Sequence, residues 1–201
     1  MKHNNIEKNL GIMGFLIFII ISFGGMTEII PLFFENDVQQ PVTGLKPLGA
    51  LQLAGRDIYI REGCHVCHTQ MIRSLSSDVM RYGNHSIAGE FVYDHPFLWG
   101  SKRIGPDLAR VGKKYSDDWH KAHFQNPRLL VPFSKMPKYK FLRECLVDES
   151  TIDKKMKALR IVGVPYTDDD IKFSKEIVKG KTEEEALISY LQQLGIILKN
   201  V

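Results

Sequence analysis

Cysteine is scarce: only Cys64, Cys67 and Cys145 occur in 201 residues. Three cysteines cannot build a disulfide framework, and the first two stand three positions apart, so their role has to be local. Cys145 has no evident partner and reads as a bystander, a free reactive thiol being the sharper alternative. The chain also lacks a block of one charge. Its 27 Lys and Arg and 23 Asp and Glu are scattered, for a net +4, a pattern that excludes a nucleic-acid footprint. No internal repeat and no low-complexity tract interrupts it. The length suits one globular domain of ordinary size plus a short appendage.

The appendage is marked by an absence of charge from Leu10 to Thr27, followed after Glu28 by Ile29, Ile30, Pro31, Leu32, Phe33 and Phe34. As a helix from Leu10 to Phe34 this run would rise about 37 Å, enough to cross a hydrocarbon core of about 30 Å with tilt. A cleaved signal peptide would have a shorter apolar region ending in small residues of the A-x-A kind, which are missing, so an uncleaved anchor in the lipid bilayer is expected. Lys2 and Lys8 precede the span and place the N-terminus in the cytoplasm and the rest outside. Glu28 falls near the outer end, within reach of headgroup water.

Residues 36–47 carry Pro41, Gly44 and Pro47 and read as a linker. The expected organisation is an anchor over 1–35, this linker, and a domain over 48–201. Leu51, Ala54 and Ile58 recur at helical spacing up to Gly63. Thr182 with Glu185 forms a capping box ahead of an apolar face of Ala186, Leu187, Tyr190, Leu191 and Leu194, with Gly195 as a stop. Another helix opens at Thr167–Asp170, carries Ile171, Ser174, Ile177 and Val178 on one side and ends before Gly180. A third runs from Ile152 to about Ile161, ending at Gly163. Between Thr69 and Tyr139 the chain shows little periodicity and reads as long loops with short helices, of the sort that wrap a ligand. The fold class is therefore mainly α.

Cys64-His65-Val66-Cys67-His68 is C-x-x-C-H, the attachment pattern for c-type haem. Two thiols three positions apart on an opening helical turn can each add to one porphyrin vinyl group, and the next residue then aims an imidazole at the iron. Zinc would need a second Cys or His pair at fitting spacing, and a thioredoxin-type thiol site would need a βαβ context. Neither is seen.

The sixth iron ligand has to come from elsewhere, because residues just after His68 lie on the same side of the ring. Met136 is the best candidate, since Pro132 and Pro137 oppose helix around it and favour an extended loop; a His/Met pair raises the potential. His85, His95, His120 and His123 remain as bis-His alternatives, and Met71 and Met80 read as packing residues. A ligating histidine needs its other ring nitrogen held by an acceptor. Pro106, in Ile104-Gly105-Pro106-Asp107-Leu108, is the candidate for that role.

C-x-x-C-H, a G-P-x-L loop, a Met-Pro loop and a final Y-L-x-x-L-G helix resemble class I cytochrome c domains. Longer strings are narrower: Arg61-Glu62-Gly63-Cys64, Gln70-Met71-Ile72-Arg73, the run from Gly89 to Arg103, and Val162-Gly163-Val164-Pro165-Tyr166-Thr167. With the N-terminal anchor they resemble the monohaem subunit, subunit II, of cbb3-type cytochrome c oxidases, over nearly the whole chain from Leu10 to Gly195. The resemblance implies a class I cytochrome c-like domain with long loop insertions and one covalently bound haem c on Cys64 and Cys67, with His68 proximal and Met136 distal. It implies a bacterial inner-membrane protein with its haem domain in the periplasm, a non-catalytic subunit of an oxygen-reducing, proton-translocating oxidase. Its partners would be a dihaem c-type subunit that donates electrons and a haem-copper catalytic subunit that receives them. The stretch from His95 to Arg103 would pack against the latter, with Trp99 and Arg103 as the contacts to test. Two other functions stay open: a membrane-tethered electron shuttle outside an oxidase, and an exported thiol-disulfide oxidoreductase.

Overall fold

The computed structural model describes residues 6–35, 40–100 and 102–197. Lys2 of the expected cytoplasmic flank, residues 36–39 of the expected linker, and Ser101 lie outside the described residues. Two compact units divide between Gln40 and Pro41.

The first unit holds α1, Leu10–Leu32, long and apolar enough to cross a membrane. Its 23 residues rise about 35 Å. The Asn9 side chain accepts the Ile12 N–H at 3.1 Å and so supplies an N-cap. Thr27 folds its hydroxyl back onto the carbonyls of Phe23 and Gly24, so its polar group is satisfied inside the helix.

The second unit is helical, and among the described residues its only extended pairing is the isolated bridge between Leu146 and Thr182. In order it contains α2 Ala50–Arg61, α3 Cys64–Cys67, α4 Ser76–Tyr82, α5 Asp117–Gln125, α6 Pro127–Leu130, α7 Ile152–Ile161, α8 Asp168–Val178 and α9 Glu183–Gln193, with 3-10 turns at Ala88–Glu90 and Lys140–Arg143. Residues of the expected linker already bond to it: Val42 N–H reaches the Gly89 carbonyl at 3.0 Å.

The frame is the crossing of α2 on α9. Leu53, Ala54 and Ile58 of α2 meet Ala186, Leu187 and Leu191 of α9 in the main core. The two backbones meet at Gly55, where an added Cβ would run into the Ala186 carbonyl oxygen and stand 2.8 Å from Tyr190 Cβ. At the open end of the crossing Arg61 reaches Glu183 with a fork of two bonds, 2.7 and 2.5 Å. The reciprocal cap expected of Thr182 and Glu185 forms, at 2.9 and 3.2 Å. The same device opens α8, where Thr167 and Asp170 exchange bonds of 2.9 and 3.1 Å.

Two expectations are corrected by burial. Ile177, placed on the apolar side of α8, is 48% exposed, while Ile171, Ser174 and Val178 are buried. Met80, read as a packing residue, is 81% exposed on α4.

Candidate functional site

Gly63 ends the run out of α2 with φ +69°, a left-handed turn that glycine adopts without penalty. This reversal starts the single turn α3, in which the His68 N–H closes onto the Cys64 carbonyl at 2.9 Å. Cys64 and Cys67 thus stand one helical turn apart, with His68 leaving the turn in extended backbone. Burial pushes the Cys64 thiol up to about 12, with Glu62 adding repulsion.

The segment after His68 is laced to the loop around Pro106. Gly105 N–H donates to the Cys67 carbonyl and Leu108 N–H to the Thr69 carbonyl, both at 3.0 Å. Between those bonds the His68 ring lies over Gly105, where a Cβ would stand 2.6 Å from Nδ1 and 2.7 Å from Nε2. His68 Nδ1 lies 2.8 Å from the Pro106 carbonyl oxygen. That oxygen can only accept, so Nδ1 carries the proton and Nε2 keeps its lone pair. Burial lowers the histidine's pKa against the opposing effects of the Pro106 carbonyl and Asp107, and the ring stays neutral at physiological pH, as a metal ligand must. The hydroxyl of buried Tyr59 donates to the His68 carbonyl at 2.8 Å.

Met136 lies after α6 in a loop pinned at both ends. Ser134 N–H bonds the Val131 carbonyl at 2.9 Å, and Tyr139 N–H bonds the Phe124 carbonyl at 2.7 Å. Met136 is half-buried and, like Cys64, packs against the main core. Tyr139 sits near the cysteine pair: its pKa is raised by burial first, then by the nearness of Cys64 and Cys67.

The histidines separate by position. His85 and His95 are exposed. His120 and His123 lie on α5, a helix that starts with the Ser116 side chain accepting the Trp119 N–H at 3.2 Å. The His123 ring stacks on Trp119 at 4.6 Å, and burial, with repulsion from His120 and His68, takes it down to about 4. His120 Nε2, His123 Nδ1 and His65 Nδ1 are buried without a hydrogen-bond partner.

The stretch from His95 to Arg103 divides in the same way. Trp99 and Phe97, each just over a third exposed, cluster with Phe91 in tilted and edge-to-face contacts, with ring centroids 4.9 to 6.2 Å apart. Arg103, by contrast, has only 13% of its side chain exposed and is engaged with Asp78, Asp107 and the Met71 carbonyl.

Gly105, Tyr59 and Asp107 were not singled out by sequence. The signal for Gly105 was its place before Pro106; Tyr59 gave none, its partner lying 9 positions away, and the bond that ties Asp107 to Met71 spans 36 positions.

A helical domain that sets a C-x-x-C-H turn against a Gly-Pro loop, with a methionine loop on the same core and an apolar helix ahead of it, defines a membrane-anchored protein of the c-type cytochrome class. Residues 3–185 match the family described as Cytochrome C oxidase, mono-heme subunit/FixO. The chain belongs to that family, and it is the mono-haem subunit of a cbb3-type cytochrome c oxidase. No curated protein matches it.

The residues present fit the family's haem. The pair Cys64 and Cys67 offers two thiols, the tautomer of His68 frees Nε2, and buried nitrogens of His65, His120 and His123 stand without a hydrogen-bond partner.

Proposed function

We propose that this chain holds one haem c through thioether links to Cys64 and Cys67, with His68 and Met136 as its iron ligands. Electrons pass through it from a dihaem c-type subunit to the haem b of the haem-copper subunit, and this chain itself does no oxygen chemistry. The bound iron supplies a one-electron couple. What the chain supplies is position. Pro106 fixes the His68 ring and its tautomer, Tyr59 holds the backbone carbonyl of the same residue, and Gly105 leaves room for the imidazole. Residues 1–35 form the anchor, 36–47 the linker and 48–201 the haem domain. The N-terminus is cytoplasmic and the haem domain periplasmic. The partly exposed Trp99 and Phe97 are the part of the His95–Arg103 stretch available to the catalytic subunit.

The single observation that carries this reading is the 2.8 Å approach of His68 Nδ1 to the Pro106 carbonyl, which leaves Nε2 as the free ligand atom on the residue next to the cysteine turn. It opposes the thiol-disulfide alternative, as does Cys64, because a reactive thiol needs a lowered pKa and this one is raised.

The experiment is haem-dependent peroxidase staining of a denaturing gel, followed by the optical spectrum of Met136→Ala. Stain on this 23.0 kDa chain and loss of the sulfur-to-iron absorption in the variant are expected. An unstained chain refutes the covalent haem, and unaltered absorption refutes the distal ligand.

A further inference from the structure

We propose that Asp107 and Arg103 are positioning residues for His68: they clamp the loop that carries the Pro106 carbonyl, and through that carbonyl they set the midpoint potential of the haem. The inference rests on the haem ligation proposed above.

The geometry is specific. The Pro106 carbonyl belongs to the peptide group that joins Pro106 to Asp107, so whatever fixes Asp107 fixes the acceptor facing His68. The Asp107 side chain has no exposed surface. Its Oδ1 accepts the Ala109 N–H at 2.8 Å and its Oδ2 accepts the Met71 N–H at 3.1 Å. Arg103 completes the clamp from the other side. Its Nη2 donates to the Met71 carbonyl at 2.9 Å and to Asp107 Oδ2 at 3.4 Å, while Nη1 donates to Asp78 Oδ2 at 2.8 Å. The backbone N–H and C=O of Met71, three residues after His68, are therefore both held by this pair. Asp78 is anchored in turn by Arg73 at 2.8 Å, and the Arg103 guanidinium lies 5.2 Å over the Tyr82 ring.

The consequence has a sign. A carbonyl held on the Nδ1 proton raises the basicity of the imidazole, which favours ferric iron and lowers the potential. Loosening the clamp weakens that bond and raises the potential. Loss of the Asp107 charge acts in the same direction, so a second variant has to isolate the geometry. Arg103→Lys keeps the charge but cannot span three acceptors with one ammonium.

The test is a spectroelectrochemical titration of the haem c in the purified oxidase, with haem staining of each variant. Asp107→Asn should keep its stain and shift the ferrous-to-ferric ratio tenfold at a fixed potential, a rise of about 59 mV for one electron. Arg103→Lys should move it the same way by less. A stained Asp107→Asn with an unmoved or lowered potential overturns the proposal. An unmoved potential in Arg103→Lys overturns it whatever Asp107→Asn shows, because the charge change alone can raise the potential of the latter variant. A wild-type chain without covalent haem overturns the ligation reading first, and the clamp with it.

Discussion

Replacing Gly105 with alanine should cripple the proximal side of the site while leaving the helical frame intact. The new methyl would stand 2.6 and 2.7 Å from the two ring nitrogens of His68, and closer still to Cε1. Unstrained carbon contacts sit near ~3.5–4.0 Å, so ring or loop has to retreat by about 1 Å on that scale. Such a retreat stretches the 2.8 Å bond to Pro106 beyond hydrogen-bonding range. Overpacking of this kind costs about 1–3 kcal/mol, and the lost bond about 0.5–1.5 kcal/mol. Together they give about 1.5–4.5 kcal/mol, and disturbed outer partners of a metal ligand cost about 10–100-fold in affinity or activity. The assay is thermal unfolding of the full-length protein in detergent, with the haem spectrum and midpoint potential recorded alongside. Gly100→Ala is the control, since its methyl would make an ordinary 3.9 Å contact with Thr69 and should leave all three readouts unchanged. A Gly105→Ala protein with native melting, spectrum and potential would refute the reasoning.

Gly55→Ala should destabilise the domain by about 3 kcal/mol or more through overpacking, because its methyl would strike the Ala186 carbonyl and stand 2.8 Å from Tyr190 Cβ; an unchanged denaturation midpoint would contradict the close helix crossing. Tyr59→Phe removes the hydroxyl that donates to the His68 carbonyl at 2.8 Å and should cost about 1 kcal/mol, read as a lowered melting temperature with the haem still attached; a gain in stability would show that the bond is not made. Arg73 foremost, with Arg103 behind it and burial opposing, holds the Asp78 carboxyl well below the usual carboxylate range. The folded form therefore keeps this charge at pH values where the unfolded chain takes up a proton. The stabilisation is whole above roughly pH 4 and drains away as pH falls below it. Asp78→Asn should flatten that acid limb, and a wild-type acid profile in the variant would exclude the assignment.

The helices that frame the domain were legible because their signals are local. Thr182 with Glu185 and Thr167 with Asp170 announce α9 and α8 within four residues, and the glycines after them end the helices as expected. The long apolar helix α1 was legible from its near lack of charge. The middle was not, for a physical reason: α5 carries two histidines and a tryptophan where an ordinary core helix would carry aliphatic residues, so no apolar stripe betrays it. His68 of the C-x-x-C-H run and Pro106 of the Gly-Pro loop, both picked out by local sequence, approach each other across 38 positions. The ionic clamp stayed hidden because Arg103, Asp107 and Asp78 read as surface charge until tertiary contacts bury them. Ile177 shows the converse failure, an apolar residue in helical register that the fold leaves at the surface.

Gly55 and Ala186 are far apart along the chain yet touch, so the segment between them leaves and returns at the crossing of α2 on α9. Lengthening such an excursion is thermodynamically mild, about 0.6 kcal/mol for each doubling. New segments can therefore be spliced into the excursion, at a surface turn such as the one around Gly83, without disturbing the joint that closes it.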